Sequence, residues 1–104
     1  MKRPKTVDGY IELVKQALFE VEDLLAAYEY DSEGLGNVSS FLGELAAHVK
    51  NLHQKMVDGT YQFATGELPY MHIVRAQGDN VLPFKSLLMI INETHEKGLD
   101  VDPT

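Results

Sequence analysis

A chain of 104 residues with 16 acids, nine Lys or Arg, no Cys and a formal net charge of −7 is one domain's worth of polypeptide. The absence of Cys excludes disulfides and thiolate metal sites, and no apolar run approaches the roughly 20 residues needed to span a bilayer. The acid excess repels phosphate backbones and anionic lipid, so neither nucleic acid nor membrane is an expected partner.

The apolar content of 44% and nine aromatics are those of a folded domain rather than a disordered one. At this length folding hides only about two-thirds of the unfolded chain's surface, so a partner subunit would help the core. The opening Met1-Lys2-Arg3-Pro4-Lys5 is basic, but no apolar block follows it as in a secretory signal. A cytoplasmic protein is the default expectation. Between Gln16 and Val49 there is no Lys or Arg, while seven acids occur: Glu20, Glu22, Asp23, Glu29, Asp31, Glu33 and Glu44. A solvated face that keeps a small oligomer in solution is the plain reading of that run.

The first expected element is a helix from Thr6 or Val7 to about Tyr30. Val7, Ile11, Val14, Leu18, Val21, Leu25 and Tyr28 recur at alternating spacings of four and three, a stripe along one helix face. Thr6 or Asp8 caps its start. Leu13 and Phe19 fall away from the stripe, so a second side of this helix also calls for cover. The stretch Asp31-Ser32-Glu33-Gly34-Leu35-Gly36-Asn37 breaks the pattern. A second stripe, Val38, Leu42, Leu45, Val49, Leu52 and Met56, marks a helix from Asn37 or Ser39 to about Val57, stopped by Asp58-Gly59. So short a connection sets the two helices side by side and antiparallel.

Residues 60–79 read as irregular or as a short hairpin. Tyr61 and Phe63 alternate with polar neighbours, and 70–74 is rich in strand formers. A short helix from Glu67 to Ala76, with Pro69 in its first turn, fits equally. After Gly78-Asp79, a third long helix starts near Asn80 or Pro83, runs through Phe84, Leu87, Leu88, Ile91 and His95, and ends at Gly98. The whole predicts a mainly α, single-domain (1–104) up-down bundle completed by dimerisation near the first helix. Residues 1–5 and 99–104 are expected to fray.

The chemistry-bearing residues make no complete motif, and no cofactor is expected. The loop from Asp31 has acids at positions one and three of a calcium loop, but Leu35 and Leu42 occupy two positions that need oxygen. Thr94-His95-Glu96 lacks the second His of a zinc-protease helix. Gly34, Gly36 and Gly43 are followed by no Lys-Ser/Thr of a phosphate loop. Two enzyme-like alternatives can be framed. All-α nucleotide pyrophosphohydrolases hold magnesium with two carboxylate pairs on neighbouring helices. Glu20 and Asp23 supply one pair, but the partner of Glu44 would be Ala47. Histidine phosphotransfer domains carry an exposed His followed by Lys and Gly at the third and fourth places. His48 here has Lys50 one place early and no Gly. The remaining reading is a non-enzymatic interaction or regulatory protein acting through contacts with a protein partner or itself. Its expected surface comprises Leu13, Phe19, Tyr61, Phe63, Tyr70 and Met71, since irregular segments carry function more often than helices do.

Overall fold

The computed structural model describes residues 3–30, 36–77 and 82–100. The chain is mainly helical, with α1 (Val7–Tyr30), α2 (Gly36–Asp58), α3 (Met71–Ala76) and α4 (Lys85–Lys97), and no strand among the described residues. The side chains of Tyr28 and Val38, the loop from Asp31 and the Gly78-Asp79 break lie outside that description, as do residues 1–2 and 101–104.

The start of α1 is fixed by Thr6, whose Oγ1 accepts the Gly9 backbone N–H at 2.9 Å. That satisfies one of the donors a helix start leaves without an internal partner. The end of α2 is a Schellman turn: Gly59 takes φ 78°, Gly59 N–H donates to Met56 O at 3.3 Å, and Thr60 N–H donates to Lys55 O at 2.9 Å. Asp58-Gly59 therefore stops the helix as the sequence indicates.

The stripe on α2 is buried as its spacing implies, with Leu42, Leu45 and Val49 fully enclosed and Leu52 and Met56 nearly so. On α1 the buried line is Tyr10, Val14, Ala17 and Val21, while Ile11, Leu18 and Leu25 are half-buried and Val7 is exposed. The helix is thus rolled from the heptad stripe toward Tyr10 and Ala17. The cause is a second neighbour: α1 packs against α4 as well as α2. Its inward face must lie between the two, and Leu13 and Leu24 on the α4-ward edge become part of the core margin. Val7, Tyr10 and Ile11 border one groove with Met56, whereas Glu22, Leu25 and Ala26 border another with Ala46, Ala47 and Lys50. The two helices are therefore antiparallel.

The segment before α1 is tied to the segment after α4. Arg3 donates to Gly98 O at 3.0 Å and lies 3.8 Å from the Asp100 carboxylate, and Asp100 N–H donates to Pro4 O at 2.8 Å. These contacts run α4 antiparallel to α1. Residues 60–70 then climb beside α4 from its end toward its middle. Ala64 N–H donates to His95 O, Leu68 N–H to Asn92 Oδ1 at 2.8 Å, and the Tyr70 hydroxyl to Leu88 O at 2.6 Å. This irregular ascent takes the place of a hairpin. The short helix follows only at Met71, because Pro69 and Tyr70 form the turn that leads into it.

Candidate functional site

The α2 residues His48, Asn51, Leu52 and Lys55 share one helix face by their spacing of three and four. Residues 60–64 and Leu68 to Tyr70 stand opposite, because the Schellman turn sends the chain back beside α4. Between them lies a cleft of about 380 Å³, to whose lining α4 contributes His95. Its wall is apolar at Leu52, Phe63, Leu68 and Tyr70, and polar at Asn51, Lys55, Gln62 and His95. This is within the ordinary size of small-molecule sites, roughly 300–1,000 Å³.

A hydrogen-bonded chain runs through two of the lining residues, Tyr61 and His95. The Tyr10 hydroxyl donates to Ile91 O at 3.0 Å and lies 3.2 Å from the Tyr61 hydroxyl, which in turn lies 2.6 Å from His95 Nδ1. With the Tyr10 proton on Ile91 O, all three bonds form together only when Tyr61 donates to Tyr10 and His95 Nδ1–H donates to Tyr61. Burial pushes the Tyr10, Tyr61 and Tyr70 hydroxyls upward, so each is a donor and not a phenolate. Burial also lowers the His95 pKa, with Glu96 acting partly against it. The rings reinforce this arrangement: Phe63 stacks on Tyr10 at 5.8 Å and meets Tyr61 edge-on at 5.3 Å.

Of the residues the sequence singled out, Tyr61 and Phe63 enter the cleft wall, the former half-buried and the latter 45% exposed. Tyr70 and Met71 are core, at 1% and 5% exposure, and so are no contact surface. Tyr70 is drawn inward by its bond to Leu88 O, and α3 turns Met71, Ile73 and Val74 toward the core. Leu13 is half-buried against the core. Phe19 is 70% exposed but stands alone, since Lys15, Gln16, Glu22 and Asp23 around it are all exposed. It does not make a second apolar side.

Asp23 is exposed on α1 and Glu20 half-buried beside it, and neither is brought to Glu44 by an ion pair or hydrogen bond among the described residues. Glu44 instead faces two imidazoles, at 3.8 Å from His48 Nε2 and 3.6 Å from His72 Nε2. His72 is oriented by its Nδ1–H, which donates to Pro69 O at 2.6 Å. These pairs are ionic only while the imidazoles carry a proton. Among the described residues no group of three or more His, Asp or Glu could hold a metal ion. His48, the alternative phosphoacceptor, sits between Glu44 and the cleft.

Sequence reasoning missed Tyr10, Asn92 and Lys55. Asn92 carried a legible signal, being a polar residue on the inward face shared by Leu88, Ile91 and His95. Tyr10 carried none, because it lies just off the heptad stripe. No protein-family model matches the chain, nor does any curated protein or solved structure. Among the described residues no helix is long and apolar enough to cross a membrane.

Proposed function

We propose that this chain is a non-enzymatic interaction module that pairs with a second copy of itself through the open end of the α1–α2 hairpin. The observation that carries this is the grouping of exposed apolar side chains there. Val7 is 58% and Phe63 45% exposed, and with Ile11 and Met56 they border a groove of about 170 Å³. Grouped apolar side chains gain from being covered, whereas scattered ones need no explanation. The interface moves accordingly from the flank bearing Phe19, which is ringed by polar residues, to the start of α1. No observation favours hydrolysis through Glu20, Asp23 and Glu44 or phosphate transfer through His48.

The test is absolute mass by light scattering across a concentration range, for the parent and for Val7→Glu. A carboxylate in the first turn of α1 suits the helix dipole, so this substitution charges the rim without weakening the helix. A parent of about twice 11.7 kDa and a Val7→Glu variant of 11.7 kDa are expected. A parent that stays at 11.7 kDa at every concentration overturns the proposal.

A further inference from the structure

In a chain of net charge −7, the cleft between α2 and residues 60–70 is lined by Lys55, His48 and His95 and, among the described residues, by no Asp or Glu. Lys55 makes no ion pair among the described residues. The acids nearest in sequence are directed elsewhere: Asp58 accepts from Gln54 Nε2 at 3.0 Å, Glu96 from Asn92 Nδ2 at 3.0 Å, and Glu44 faces His48 and His72. We propose that this cleft binds a small amphipathic monoanion, a carboxylate carried on an aromatic or branched apolar body.

The apolar part of such a ligand matches Leu52, Leu68 and the ring of Phe63, and the carboxylate matches Lys55 and Asn51, one turn apart on the same wall of α2. Polar groups that are few and convergent within an apolar wall are the usual composition of a small-ligand site. The charge of the ligand follows from what borders the cleft. Phosphate sites draw on helix N-termini, Arg forks and clustered backbone N–H groups. This cleft has no Arg among the described residues, and it is bordered by the C-terminal turns of α2 and α4. One carbonyl in each of those turns is already answered, Lys55 O by Thr60 and Tyr61 N–H, and His95 O by Ala64 N–H. The negative dipole ends of both helices oppose an anion, so the one lysine can offset a single negative charge and not a polyphosphate. The volume of about 380 Å³ lies in the range of small-molecule sites.

The cleft shares Tyr61 and Phe63 with the dimer rim but extends to Asn51 and Lys55, which the rim does not include. Binding can therefore be read there whether or not the chain dimerises. The experiment is a titration of the isotopically labelled full chain with phenylacetate, benzyl alcohol, phenethylamine and inorganic phosphate, followed by amide shifts. Phenylacetate is expected to saturate, shifting Asn51, Lys55 and Gln62, and to bind at least tenfold more tightly than phenethylamine. Lys55→Gln, at an exposed position, should reduce phenylacetate to the level of benzyl alcohol with an unchanged melting temperature. Asn51→Ala should weaken it as well. Equal binding of the amine, unaltered affinity in Lys55→Gln, phosphate binding as tightly as phenylacetate, or shifts confined to other parts of the chain would each overturn the assignment.

Discussion

Replacing Asn92 by Ala tests whether one side chain holds the cleft wall in place. Asn92 is 7% exposed and its Oδ1 accepts the Leu68 N–H at 2.8 Å, while Leu68 itself is 6% exposed. After truncation that N–H has neither a protein acceptor nor ready access to water. A buried donor left unsatisfied costs about 1–3 kcal/mol. Ala is the better helix former by about 0.6 kcal/mol, which offsets part of the loss. The net cost is then about 1.5 kcal/mol. With an unfolding entropy of about 2.1 cal/mol/K per residue over a chain of 104, that corresponds to a melting point lower by about 7 °C. Circular dichroism melts would measure it, and hydrogen exchange at the Leu68 amide would locate it. Glu96→Ala is the control, because it removes only the exposed acceptor of Asn92 Nδ2 and should stay within about 0.5 kcal/mol of the parent. If Asn92→Ala melts with the parent and Leu68 stays equally protected, the anchoring argument is wrong.

Stability should depend on pH through His95. Its folded pKa lies below the ordinary 6.5, so the unfolded chain takes up the proton first as pH falls. The stabilising contribution is complete above the unfolded value, declines as pH drops from there toward the folded value, and is flat below it. Urea midpoints between pH 8 and 5 should show this decline, and His95→Gln should show less of it; identical profiles would refute the assignment. Gly98 holds φ 86° and ψ −175°, a region open essentially only to glycine, and an added Cβ would meet nothing within 4 Å. Gly98→Ala should therefore cost about 2 kcal/mol through the backbone alone. Gly66→Ala, equally unobstructed and without a positive φ, should be near neutral or slightly stabilising. Equal melting temperatures for these two variants would remove the backbone explanation.

The sequence carried the helices because their signals are local. Spacing of apolar residues marks α1 and α2, Thr6 caps the first, and Gly59 and Gly98 end the second and last. Each of these acts within a turn or two of chain. The roll of α1 was not local, since it depends on α4 arriving beside Tyr10 from 81 residues away. Tyr70 and Met71 looked like surface aromatic and sulfur side chains because the hairpin and helix readings of 60–79 expose different residues. Only their docking on α4 decided between them.

By itself, then, the sequence determined helical class, the C-terminal limits of α2 and α4, the antiparallel hairpin and a net negative charge, while α3 and α4 begin later than it indicated. Those properties follow from backbone geometry and side-chain type summed over near neighbours. The tertiary structure alone decided which tyrosines are buried, which apolar residues remain uncovered, and where a cleft lined, among the described residues, by no acid opens in an acidic chain. These are properties of the faces that distant segments present to one another. The residues involved, Tyr10, Tyr61, Asn92 and His95, are joined by bonds that span 24 to 81 positions.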